Sequence, residues 1–189
     1  MIRDEYKAQL KQTREGWEGW GSSAARNCDA LVRYLDKHKA ITDVLDFGCG
    51  TGQLGIHLRQ HQDAGILRKN ITIHEYDPSV PGKDTIPERT YDCIISLDVL
   101  EHVEPDSIAE TMEWLLSKAP RQYHHIDCNE TNDKLPDGRD VHLLVREPKW
   151  WESTVVKPGW VIVERHVHDK RKRGRFPRRS CTFVIERQG

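Results

Sequence analysis

The sequence predicts an α/β protein: an open, mostly parallel sheet with helices on both faces and a terminal antiparallel strand pair. Three observations carry this reading. Short apolar runs alternate with helical stretches along most of the chain. The first of these runs, ITDVLDF, opens directly into a glycine cluster and then a helix, the connection used at the carboxyl edge of parallel sheets. The last two runs are separated only by a basic turn, so they pair as a hairpin. A length of 189 residues suits one domain, divided here into an N-terminal helical cap (1–40) and an α/β core (41–189).

Taken in order, the first 20 or so residues are polar with scattered aromatics, and GWEGWGSS (16–23) reads as a turn. Ser22 or Ser23 can cap a helix running to about Lys39, with Ala25, Cys28, Leu31, Val32 and Leu35 on one face. ITDVLDF (41–47) is the first strand, and a short helix follows from Gln53 to about Gln60 with Leu54 and Leu58 four apart. ITIHEYD (71–77) is the second strand, closed by Pro78. YDCIISL (91–97) is the third, apolar enough to be buried on both faces. A helix from about Asp106 to Lys118 places Ile108, Met112, Leu115 and Leu116 on one stripe, and RQYHHIDC (121–128) is an edge or central strand. WVIVERHV (160–167) and CTFVIER (181–187) form the final pair. The tryptophans at 150, 151 and 160 read as packing residues.

Composition narrows the function classes. No apolar run approaches the ~20 residues of a membrane span, and the charged start shows no apolar signal segment, so a cytoplasmic protein is expected. Five single cysteines (28, 49, 93, 128, 181) without a CxxC pair read as reduced thiols rather than a disulfide or zinc framework. His124 and His125 are adjacent on a strand and point to opposite faces, and His166 and His168 sit at a strand end, so no metal site is assigned. The net charge of -1 conceals two opposed regions. Residues 74–113 hold eleven acids against two bases, whereas residues 170–179 hold seven bases and no acid. The acidic stretch suits a cationic ligand and the basic run an anionic one.

VLDFGCGTGQLG (44–55) carries the chemistry. Gly48, Gly50 and Gly52 let a ligand lie against the main chain, and the helix that follows offers free N–H groups at its positive end. Gly50-Thr-Gly52-Gln-Leu-Gly55 fits the dinucleotide pattern GxGxxG, but residues 56–189 are too few for a second nucleotide half and a substrate domain. Asp46-Phe-Gly48-Cys-Gly50-Thr-Gly52 better resembles motif I of the class I S-adenosylmethionine-dependent methyltransferases, D/E-x-G-x-G-x-G. Two further segments are similar to that family in order and spacing: Glu75-Tyr-Asp77-Pro-Ser at the tip of the second strand, and YDCIISLDVLEHVEPDSI (91–108) with its VLEH signature. A weaker tail likeness runs through His142, Trp150-Trp151 and Pro158-Gly159-Trp160.

The resemblance implies a Rossmann-like fold and S-adenosylmethionine as cofactor, held by Asp46, Gly48, Cys49, Gly50, Gly52, Gln53, Asp77, Pro78, Leu97, Asp98 and Val99. Asp77 would take the ribose diol, since a carboxylate accepts two hydrogen bonds from vicinal hydroxyls. Methyl transfer from a sulfonium is an in-line displacement that depends mainly on alignment. A base is needed only where the acceptor must lose a proton. His102 and His142 are the catalytic candidates, with Asp98 or Glu101 assisting, and Glu101, Arg171, Arg173 and Arg175 are assigned to the substrate. Only thirteen residues separate Asp77 from Tyr91, where the family places a third strand and a helix. The fold is therefore expected to be trimmed there, with Asp84 the candidate for the adenine amino group. The acceptor reads as a small molecule taking the methyl group on O or N, and the basic run suits an anionic one. RNA bound through 170–179, and a non-catalytic cofactor-binding module, remain the alternatives.

Overall fold

The computed structural model describes residues 3–15, 23–170 and 178–189. Residues 16–22 of the turn expected at 16–23, and the tip of the basic run, including Arg171, Arg173 and Arg175, lie outside the described residues. Two helices, α1 (Asp4–Glu15) and α2 (Ser23–Lys37), precede the sheet. The core then runs β1 (Asp43–Phe47), α3 (Gln53–Asp63), β2 (Thr72–Tyr76), β3 (Cys93–Leu97), a 3-10 turn (Leu100–His102), α4 (Ile108–Lys118) and β4 (Arg121–Asp127). It ends with α5 (Pro148–Val155), β5 (Trp160–Lys170) and β6 (Arg178–Arg187).

The six strands form one sheet in the order β2-β1-β3-β4-β6-β5. The β2, β1, β3 and β4 ladders are parallel, and β6 and β5 are antiparallel additions. RQYHHIDC is thus a central strand. Both of its faces are buried, and His124 and His125 do take partners on opposite faces: Ser96 and Gln122 for one, Thr182 and Asp98 for the other. Residues 78–92 carry no strand or helix, so β2 is the sheet edge, as the short spacing predicts.

Helices cover both faces because the central strands β1 and β3 are apolar on both sides. One face packs Leu45, Phe47, Ile94 and Phe183 against α4 and α5. The other packs Val44, Cys93, Ile95 and Val184 against α2 and α3. Trp151 is fully buried, and Trp150 and Trp160 pack against the same core. Two helices escape the periodicity analysis. α5 is short and starts at Pro148, which is preorganised for a first helical turn. α1 is polar throughout, and only Tyr6 and Leu10 are buried, against Leu135 and Val141. All five cysteines are free and buried. No helix among the described residues is long and apolar enough to cross a membrane.

Candidate active site

Connections leave β1 toward β2 on one side and reach β3 on the other, so the strand order reverses between β1 and β3. A crevice forms at such a reversal, at the carboxyl ends of the strands. The glycine loop lies on its β1 side and residues 98–102 on its β3 side. The two sides touch: a side chain at Gly48, which has φ +78°, would meet the methyl groups of Val99 at 2.5 Å. On the β3 side Asp98 sits at φ 53°, the lone positive-φ residue other than glycine among the described residues, and strain of this kind persists where the surroundings impose it.

The acids of the crevice differ sharply in role. Asp77 is buried and faces inward. Its Oδ2 accepts the Gly50 N–H at 2.9 Å, and its Oδ1 accepts the Ser79 N–H and hydroxyl at 2.8 and 2.7 Å. Three of the roughly four acceptor positions of a carboxylate are thereby filled, so Asp77 first of all braces the loop. Glu75 is two residues earlier on the same strand face and half-exposed; one oxygen pairs with Lys83 at 2.7 Å and the other lies over Gly52. Glu75 has no assignment from the motif resemblance; its alternation with Asp77 along the strand is the signal that points to it. Asp46, opposite Glu75 in the ladder, is buried with one oxygen lacking any hydrogen-bond partner. Burial, then the charge of Glu75, pushes its pKa up to about 8.

The remaining cofactor candidates place as follows. Gly52 is the cap residue of α3 with no side-chain cap, and Gln53 is half-buried and starts the helix, its amide reaching Thr51. Cys49 is buried, and its thiol pKa is driven up by that burial, which disfavours the thiolate. Pro78 lies in the turn after β2. The Leu97 side chain belongs to the core beneath α2 and α3 and leaves only its backbone to the crevice. Asp84 is exposed and accepts the Gly82 N–H.

Glu101, His102 and His142 meet on the β3 side. The rings stand edge to face with centroids 4.7 Å apart, though their residues are forty positions apart in sequence. His102 Nδ1 faces the Val141 carbonyl at 2.8 Å and His142 Nδ1 the Asn129 carbonyl at 2.6 Å. A carbonyl only accepts, so each Nδ1 carries the proton. Burial and the neighbouring His142 hold the His102 pKa down to about 4, which keeps that imidazole neutral at pH 7. Glu101 is fully buried, with Oε1 accepting the Asp127 N–H and Oε2 unpartnered; burial and then Asp98 raise its pKa well above the usual carboxylate range.

α1 crosses this edge. Arg3 pairs with Glu104, Tyr6 donates to the His102 carbonyl at 2.5 Å, and Arg14 donates to the Ser79 carbonyl at 2.6 Å. The helix therefore ties the β3 side of the crevice to the β2 side.

The family model of the methyltransferase domain matches residues 20–171. The chain belongs to the methyltransferase domain family. No curated protein sequence matches this methyltransferase significantly. Among solved structures, it is similar to magnesium protoporphyrin IX methyltransferase from Synechocystis PCC 6803 with bound SAH (TM-score 0.59, 15% identity, 100% of this chain and 89% of that one). It is also similar to the 1,6-didemethyltoxoflavin-N1-methyltransferase of Burkholderia thailandensis (TM-score 0.59, 16% identity, 100% and 92%). A third likeness is to the 16S rRNA methylase RmtB (TM-score 0.52, 14% identity, 99% and 76%). At these identities the structural likenesses speak for the fold.

Proposed function

We propose that this cytoplasmic methyltransferase moves a methyl group from S-adenosylmethionine to an O or N atom of a small, anionic acceptor. The observation that carries the reading is the buried, unpartnered Asp46 oxygen at the foot of a glycine loop that faces the strained Asp98 across the strand-order reversal. The cofactor fits this donor set. It brings an ammonium and a sulfonium to a crevice lined by Asp46, Glu75, Asp77 and Asp98, and a ribose diol to the tip of β2. When bound, it supplies the methyl group as an electrophile.

The chain's own residues then have distinct tasks. Asp46, Gly48, Cys49, Gly50, Gly52 and Gln53 shape the loop and helix start on which the cofactor rests. Asp77 and Pro78 fix the β2 turn, and Glu75 shares the diol with Asp77, because Asp77 has about one acceptor position left. Leu97, Asp98 and Val99 set the opposite wall through backbone and packing. α1 covers the carboxyl edge as a cap, which excludes water and strengthens electrostatics inside. On the acceptor side, His102 and His142 are the bases for a proton that must leave, with Glu101 beside them.

The direct test is calorimetry with S-adenosylmethionine and S-adenosylhomocysteine. Asp77→Ala is expected to weaken both by 1–3 kcal/mol, roughly 5- to 150-fold, and to lower the melting temperature, since the Gly50 and Ser79 donors lose their acceptor. Unchanged affinity would remove Asp77 from the site.

The acceptor's charge is read from the hairpin. Asp127 ends β4 opposite Ser180, so Lys170 and Arg178, the described residues that flank the basic run, stand beyond the carboxyl ends of the parallel strands, on the side of the crevice. Arg179 is already engaged by Glu147 and Asp169, not by the acidic stretch 74–113. Changing Arg171, Arg173 and Arg175 to Gln is expected to raise KM for an anionic acceptor and flatten its salt dependence, with little change in melting temperature. A steep log–log salt slope for RNA, lost in the same variant, would favour a nucleic-acid acceptor. Cofactor binding with no acceptor turned over would favour a non-catalytic module.

A further inference from the structure

Glu101, His102 and His142 are arranged more closely than proton transfer demands. One donor atom from each lies within 4.8 Å of the other two. Each side chain is fixed from behind by the backbone: Glu101 Oε1 by the Asp127 N–H, His102 Nδ1 by the Val141 carbonyl and His142 Nδ1 by the Asn129 carbonyl. Orienting bonds of this kind, on the ring nitrogen away from the metal, are what metal-binding imidazoles carry. The loop that brings His142 is itself anchored, since Asp140 accepts the His142 and Thr131 N–H groups, and Asn129 is bonded to Asp127 and Arg179.

Ring packing alone would account for the two histidines. It does not account for Glu101, a residue of the same cluster, whose buried Oε2 has no hydrogen-bond partner. A buried carboxyl oxygen left without a hydrogen bond is costly, and a cation is a partner that satisfies it together with two imidazoles.

We propose that Glu101, His102 and His142 bind a divalent transition-metal ion. The proposal deepens the methyltransferase reading and rests on it for the ion's role, though not for the binding itself. Two imidazoles and one carboxylate suit Zn²⁺ or Mn²⁺ and not Mg²⁺ or Ca²⁺, which favour all-oxygen shells. Three protein ligands leave an open position, as catalytic sites do. An acceptor hydroxyl entering that position would lose its proton to water more easily. Its oxygen lone pair would then form the C–O bond as the methyl–sulfur bond breaks and its electron pair returns to sulfur, giving a neutral thioether. The histidines then hold the ion instead of taking the proton, and the acceptor is one with an oxygen nucleophile.

The test is calorimetry of the chelator-stripped, desalted chain with ZnCl₂ and with MnCl₂, each without cofactor. One equivalent of at least one ion is expected to bind saturably, with affinity falling tenfold or more in Glu101→Gln and in His142→Asn. Wild-type protein loaded with Co²⁺ needs no variant: the visible absorption of a low-coordinate nitrogen–oxygen site is expected. No saturable uptake, uptake unchanged in both variants, or the spectrum of hydrated Co²⁺ would overturn the proposal. S-adenosylhomocysteine titrated into the same samples reads the cofactor site separately, so a failure of one reading is distinguishable from a failure of the other.

Discussion

Gly52→Val is expected to weaken S-adenosylhomocysteine binding by roughly 100-fold or more, which is about 2.7 kcal/mol. Gly52 caps α3 at φ +85°, a left-handed conformation that costs a residue with a Cβ about 1–2 kcal/mol and a β-branched one more. Space is lacking as well. A Cβ there would stand 2.5 Å from Glu75 Oε1 and 2.8 Å from Lys83 Nζ, displacing the ion pair that lies over the loop. The backbone must rotate, and with it the first N–H groups of α3 that face the crevice. Isothermal titration beside a thermal melt separates the two losses. A variant that melts lower but binds the cofactor as tightly as the parent would show that the loop is only a tight turn.

The largest loss of stability is expected from Trp151→Ala, about 3–5 kcal/mol. At this chain length that corresponds to a fall in melting temperature on the order of 10 °C. Trp151 is fully buried in the core shared by α4, α5, β3 and β6, with its ring edge-on to Trp150 at 4.9 Å. The surroundings cannot close around so large a void. Its indole Nε1 has no hydrogen-bond partner in the core, so Trp151→Phe removes an unsatisfied donor along with part of the ring and should cost much less. Thermal melts of the two variants decide it; equal losses would mean that the indole N–H is satisfied in solution.

What the sequence alone determined is local. A strand reads as a short apolar run and a helix as a 3.6-residue stripe, because side-chain direction within one element follows from backbone geometry. β1, β3, α4 and the final hairpin were legible in this way. So was the glycine loop, whose backbone requirements are met by contiguous residues. The opposed faces of His124 and His125 followed from the same rule.

The tertiary structure decided whatever depends on closing the chain. α1 shows almost no apolar stripe, and its place came from Arg3, Tyr6 and Arg14 finding partners some 65 to 101 residues away. The motif resemblance assigns Asp77 at the strand tip to the ribose diol. Packing turned its carboxylate inward onto Gly50 and Ser79, leaving Glu75 toward the loop. Glu101 and His102 are neighbours in a motif, yet their convergence with His142 depends on the path of residues 129–142, which the Asn129, Asp140 and Val141 bonds fix. Residue spacing fixes faces within an element. Which faces meet is settled by burial and hydrogen bonding across loops, and that information is spread over the whole chain.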